Sequence, residues 1–233
     1  MSIAENVAAV RNQLDTAAIT AGRNPKEIKL CAATKMNDAA AVQEAIRAGI
    51  TICGENRVQE LTQKLSQNAY AGAEIHFIGR LQTNKVKQVV GKVSLIQSVD
   101  RMKLLQTIQA EAARQNLVQD ILLEVNIGNE ESKGGFTPAE IPSIVENMGD
   151  FPNIRVKGLM AIPPISQNSG DNLKFFQEMY NLSVDITTKK GDNVSIEILS
   201  MGMSDDFMDA ISCGSTMVRI GTAIFGPRNY SHP

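Results

Sequence analysis

One pattern constrains this 233-residue chain more than any other: short apolar runs alternate with helical periodicity almost to its end. Residues 3 to 21 come first, with Ile3, Val7, Val10, Leu14 and Ala17 or Ala18 on one helical face, and "GRNP" stops that helix. Then "IKLCAAT" (28 to 34) reads as a strand. "DAAAVQEAIRAG" follows as a helix, with Asp38 as N-cap and Gly49 as breaker. The next strand and helix are "ITIC" and "ENRVQELTQKLSQ". "EIHFIG" precedes the helix-like "TNKVKQVVG", and "VSLIQSV" precedes "DRMKLLQTIQAEAARQ". "VQDILLEVNI" leads to "TPAEIPSIVENMG", a helix opened by Thr137 and Pro138. "IRVKGLM" leads, across the loop "AIPPISQNSG", to a long helix over 171 to 190. "VSIEILS" leads to the short helix "SDDFMDAISCG", and "MVRIGTAIFG" is a final strand running into a turn. Eight strands, each followed by a helix or helical turn, predict an α/β fold with a parallel sheet that closes as a (β/α)8 barrel. An open doubly wound sheet is the rival, but its GxGxxG fingerprint after the first strand is missing. No compositional break divides the chain, so residues 1–233 are expected to form a single domain with a leading N-terminal helix.

Hydrophobic residues make up 43% of the chain but aromatic residues only 4%, and tryptophan is absent, so Ile, Leu, Val, Met and Ala must fill the core. Lys and Arg (23) are scattered and offset by Asp and Glu (25), which argues against a nucleic-acid surface. No apolar stretch approaches membrane-spanning length, and the acid-bearing start is not a secretory signal. Cys31, Cys53 and Cys213 have neither metal nor disulfide spacing, as expected of a reduced, cytoplasmic protein. A mixed-charge surface fits a monomer.

Barrel sites collect at the C-terminal ends of the strands. Lys35 follows the first strand. It is either a solvated strand-end lysine or a desolvated amine able to form a Schiff base with an aldehyde. In "LSMGMSDD" (199 to 206), Ser204 is placed to cap the next helix and to gather amides around an anion, with Asp205 and Asp206 pointing outward. Gly221 and Thr222 follow the eighth strand, so both glycine loops fall where barrels commonly hold phosphate. Arg219 interrupts an apolar strand and needs an acceptor there, either a carboxylate inside the barrel or a ligand atom such as a ring nitrogen. Glu55, Asn56, His76, Gly79, Asn84, Asn126 and Lys133 add polar groups near other strand ends. Of these, Asn56 and Asn126 suit a pocket wall, Glu55 a helix cap, and His76 a satisfied structural role. No carboxylate or histidine cluster suggests a metal, and no nucleophile elbow is present.

Together "ATKMND", "GENRVQE", "IHFIGRLQTNK", "LLEVNIGNEESKGGF", "GLMAIPP" and "LSMGMSDDFMDAISCGSTMVRIGTAIFGPR" resemble the pyridoxal 5'-phosphate (PLP) homeostasis family, from Ile28 to Arg228. The resemblance implies a single barrel like the N-terminal domain of alanine racemase, the fold of type III PLP proteins. It implies Lys35 as the Schiff-base lysine, Ser204, Gly221 and Thr222 on the phosphate with amides near Gly202 and Met203, and Arg219 facing the pyridine nitrogen. Asn56 would lie beside the ring, and Lys133 matches a lysine of the family's "ESKxG" loop, where a role in cofactor handling is suggested. The family usually has a proline where Asn37 or Asp38 stands and a tryptophan where Ile75 stands. The implied function is PLP buffering or delivery, with amino acids or PLP-requiring apoenzymes as partners.

A racemase needs proton transfer on both faces of a bound amino acid. Related racemases draw a tyrosine from a second domain. The chain ends at Pro233 soon after the eighth strand, and Tyr70, Tyr180 and Tyr230 lie away from strand ends, so no catalytic residue is assigned. The alternatives are a weak PLP-dependent amino-acid racemase, a Schiff-base aldolase barrel for a sugar phosphate, and an interaction module with an incidental pocket.

Overall fold

The structure is a computed structural model and describes residues 1–130, 133–165, 168, 170–188 and 191–226. Helix α1 (Ile3–Thr20) is opened by a capping box, in which Ser2 accepts from the Glu5 amide while the Glu5 carboxylate accepts from the Ser2 amide. Then come β1 (Lys29–Ala33), α2 (Ala39–Arg47), β2 (Ile52–Glu55), α3 (Val58–Ser66), β3 (Glu74–Phe77) and β4 (Leu95–Val99). They are followed by α4 (Met102–Arg114), β5 (Gln119–Val125), α5 (Ile141–Glu146), β6 (Ile154–Ala161) and α6 (Leu173–Thr187). The last elements are β7 (Val194–Ser200), α7 (Phe207–Ser212), β8 (Met217–Ile220) and α8 (Thr222–Phe225). The eight strands pair in chain order, all parallel, and β8 closes onto β1 with Lys29 opposite Met217 and Cys31 opposite Arg219. The fold is the expected α/β barrel.

Alternation along each strand divides the core in two. Outward residues such as Leu30, Ala32, Cys53, Ile121, Leu123, Val218 and Ile220 pack under the helices. A smaller inner cluster comprises Cys31, Ala33, Ile52, Ile78, Leu95, Leu122, Met160, Ile198 and Met217. It plugs the barrel, so function is left to the polar layer above it.

Several boundaries differ from the sequence reading. Strand β2 starts at Ile52 and runs through Glu55, placing that carboxylate inside the sheet instead of at a helix cap. Between β3 and β4 the chain forms a 3-10 helix, Thr83–Gln88. Helix α5 opens at Ile141 with Pro142 in its first turn, because the Thr137 amide and hydroxyl both donate to the Glu140 carboxylate and hold Pro138 in a preceding turn. The last strand stops at Ile220, just before Gly221 as expected, and the turn after it is the short helix α8. Asp38 caps α2 as expected, accepting from the Ala41 amide at 2.8 Å. Among the described residues no helix is long and apolar enough to cross a membrane.

Candidate functional site

The inner cluster sets the parity of the site. Cys31 and Ala33 face inward, and Lys35 is the next residue of that set. The same count from Ile52 reaches Gly54 and Asn56, from Leu122 reaches Glu124 and Asn126, from Ile198 reaches Ser200 and Gly202, and from Met217 reaches Arg219 and Gly221. Lys35, Asn56, Asn126, Gly202, Arg219 and Gly221 therefore share the inward parity at the C-terminal ends of their strands. Strand pairing brings two of them side by side. Ala32 lies opposite Ile220, and a side-chain carbon on Gly221 would sit 3.3 Å from Ala33. Gly221 and Thr222 thus abut the strand end that carries Lys35.

Below the mouth, polar groups cross the barrel in a chain. Arg219 is buried and donates from Nη1 to the Ser200 carbonyl (2.8 Å) and hydroxyl (2.7 Å), and from Nη2 to the Ala161 carbonyl (2.9 Å). The Ser200 hydroxyl donates to Gln97 Oε1 at 2.7 Å, and Gln97 Nε2 donates to His76 Nδ1 at 2.9 Å. His76 is the satisfied structural histidine expected, with burial lowering its basicity. Arg219 finds neutral oxygens within hydrogen-bonding distance, not a carboxylate. Burial lowers its pKa, but a guanidinium stays charged, so its cation is presented from beneath the mouth.

The loop after β7 corrects the sequence reading. Ser204 does not cap α7; Asp206 stands at that position. Asp206 is buried rather than turned outward, and its Oδ1 accepts from the Met203 amide at 2.7 Å while Oδ2 accepts from Asn172 Nδ2 at 2.9 Å. Asp205 is exposed, as expected. The Met203 amide is therefore held within its own loop. Gly202 has φ +93, and a side-chain carbon there would lie 2.6 Å from Ala210, so the backbone can pass only as glycine.

On the far side of the mouth, a cavity of about 280 Å³ is lined by Asn56, Gly79, Arg80, Asp100, Glu124 and Asn126 among others. Gly79 permits it, since a side-chain carbon there would stand 2.1 Å from the Asn56 carbonyl oxygen. Asn56 Oδ1 is buried and has no hydrogen-bond partner among the described residues. Glu124 is pushed up to about 7, chiefly by burial and then by the charge of Asp100, with Arg219 and Arg80 opposing. Sequence reasoning missed Glu124, Asp100 and Arg80. An acid inside the apolar strand β5 was the same kind of signal that marked Arg219. Lys133 also lines this cavity, with Nζ 2.5 Å from Glu130 and 3.1 Å from the Pro163 carbonyl. Asn84 is exposed and lines a separate outer hollow with Gln82, Thr83 and Arg101. Tyr70 is buried against Glu55 and Tyr180 sits on α6 beside Gly214; Tyr230 and Arg228 fall outside the described residues. Among the described residues no group of three or more metal-type ligands gathers.

The closed parallel barrel, with a lysine after its first strand and glycine loops after its seventh and eighth, is of the alanine racemase N-terminal type. The chain matches the family described as alanine racemase, N-terminal domain, over residues 3–229. It is 43% identical over 230 residues to the pyridoxal phosphate homeostasis protein of Aquifex aeolicus, covering 99% of this chain and 100% of that one. A solved structure of a protein from Bifidobacterium adolescentis superposes with a TM-score of 0.90 at 34% identity, over 95% of this chain and 94% of that one. PipY of Synechococcus elongatus, solved with PLP bound, gives 0.83 at 28% identity, over 97% and 100%. The chain belongs to the pyridoxal phosphate homeostasis protein family, within the alanine racemase N-terminal domain class.

Proposed function

We propose that this chain binds PLP at the barrel mouth, holds it through Lys35, and serves in its intracellular homeostasis by buffering or delivering it. The observation that carries the reading is the pairing of β1 with β8, which brings Ala33, two residues before Lys35, against Gly221 at the C-terminal end of the barrel. When bound, PLP supplies an aldehyde that condenses with a lysine amine and a phosphate that requires several donors. The residues present fit both ends. Gly221 leaves room for close approach, and the first turn of α8 has N–H groups with no partner inside the helix. Thr222 and Ser204 would add hydroxyls to that end. Asp206 fixes the loop through the Met203 amide, so Met203 serves by shaping the loop and Gly202 by allowing its turn.

Arg219, held by Ser200 and Ala161, would set its positive charge against a ring nitrogen and disfavour protonation there. That disfavours the strong electron withdrawal a racemase uses. The buried, unpartnered Oδ1 of Asn56 offers an acceptor beside the ring. Family relatives named for PLP homeostasis and PipY with PLP bound support the assignment. We further infer a single-domain, cytoplasmic monomer that exchanges PLP with amino acids or PLP-requiring apoenzymes.

Mixing the loaded protein with an apoenzyme and following recovery of that enzyme's activity tests delivery. Recovery faster than spontaneous PLP release alone is expected. Robust interconversion of L- and D-amino acids by the pure protein, lost in Lys35→Ala, would replace this reading with a racemase.

A further inference from the structure

Both peptide groups that flank Lys35 are gripped from one helix, α3. Lys64 Nζ donates to the Thr34 carbonyl at 2.8 Å, and the Met36 amide donates to Glu60 Oε2 at 2.6 Å. Lys64 is buried, and it reaches Glu55 Oε1 at 2.7 Å and Glu60 Oε2 at 3.6 Å. Glu55 Oε1 also receives the Thr34 hydroxyl at 2.5 Å and the Tyr70 hydroxyl at 2.9 Å. Met36 is held at φ +61, a left-handed conformation that a methionine rarely adopts, and Asn37 Nδ2 donates to the Lys35 carbonyl at 3.0 Å.

A buried ion pair is weak as a source of stability, because desolvation offsets most of its attraction. Apolar side chains would fill the space between α3 and β1 as well. These charges differ from a generic buried pair in their target: their hydrogen bonds end on the two peptides that set the Lys35 Cα. A backbone kept out of its preferred region also needs surrounding contacts to hold it, and the Glu60–Met36 bond is one.

We propose that Lys64 and Glu60, braced by Glu55 and Tyr70, are positioning residues for Lys35. They fix the direction in which its side chain leaves the backbone and so the approach of Nζ to an aldehyde carbon. The inference rests on the reading of Lys35 given above. In the step they serve, the Lys35 Nζ lone pair forms a bond to the aldehyde carbon. The aldehyde oxygen then leaves as water with both amine protons, and a C=N bond remains.

Stopped-flow absorbance on mixing with PLP reads the rate of covalent capture. Pyridoxamine 5'-phosphate, which has the ring and phosphate but no aldehyde, reads non-covalent binding separately. In Glu60→Ala, capture is expected to slow by about 10- to 100-fold while the Kd for pyridoxamine 5'-phosphate stays within about twofold. Glu60→Gln keeps an oxygen for the Met36 amide and is expected to restore most of the rate. Lys64→Met is expected to shift the rate in the same direction as Glu60→Ala. Should its uncompensated Glu55 prevent folding, the partly exposed Glu60 still carries the test. An unchanged capture rate in Glu60→Ala, or an equal loss of pyridoxamine 5'-phosphate affinity, would overturn the positioning role alone. A parent protein with no Lys35-dependent visible band would overturn the assignment of Lys35 itself.

Discussion

At the scale of single residues, glycine decides how near two strand ends can come. Gly79 leaves only backbone between the ends of β2 and β3, and a methyl group there would meet the Asn56 carbonyl at 2.1 Å. Gly79→Ala should therefore displace Asn56 and cost about 1–3 kcal/mol by overpacking. Urea titration with and without pyridoxamine 5'-phosphate should show a lower midpoint and a smaller ligand-induced rise. Lys35, Gly221 and Arg219 were legible in the sequence for one reason each: a lysine at a strand end, a glycine just past one, and a cation inside one. Ser204 was misread because a serine ahead of "DDF" looks like a cap. The chain instead turns at Met203 and hands that position to Asp206, two residues later. The bracing of Thr34 was not legible. It joins Glu55 to Tyr70 across α3, and no local spacing encodes that contact. Glu55→Ala should strand the buried Lys64 and cost about 3–5 kcal/mol, measured by chemical denaturation.

At the scale of elements, the loop between β7 and α7 forms the proposed anion end of the mouth. Asp206 ties it to Asn172 and to its own Met203 amide. Two hydrogen bonds to a buried carboxylate, each worth about 1 kcal/mol or more, hold that loop in shape. Asp206→Ala should weaken pyridoxamine 5'-phosphate binding by about tenfold, read by isothermal titration. Tighter binding would instead mean that the negative charge repels the phosphate more than its hydrogen bonds order the loop. The elements themselves were largely readable, because each strand is an apolar run closed by a turn residue. Some of their ends were not: β2 runs on to Glu55 and β5 stops at Val125. Strand ends follow from sheet register with neighbours distant in sequence, and single-sequence patterns carry little of that.

At the scale of the whole molecule, closure turns an alternation into a site. The pairing of β8 with β1 brings the end of β1 that precedes Lys35 to Gly221, and closure leaves Arg219 buried and Glu124 half-buried. That interior leaves a mark on stability. Glu124 holds its proton up to about 7, so the folded chain binds more protons than the unfolded one from about pH 4.5 to about 7. Its contribution to stability is greatest below that window and is lost as pH rises through it. Urea midpoints for the parent and for Glu124→Gln, compared at about pH 5 and about pH 8, should show the parent losing more on going up.

The central claim is that Lys35 at the barrel mouth holds PLP covalently. Its most direct test is the visible absorption spectrum of the purified protein and of Lys35→Ala after addition of PLP, followed by borohydride reduction and peptide mapping. The expected result is a band in the parent alone, with the reduced cofactor mapped to Lys35. A band that persists in Lys35→Ala, or label on another lysine, would contradict the assignment.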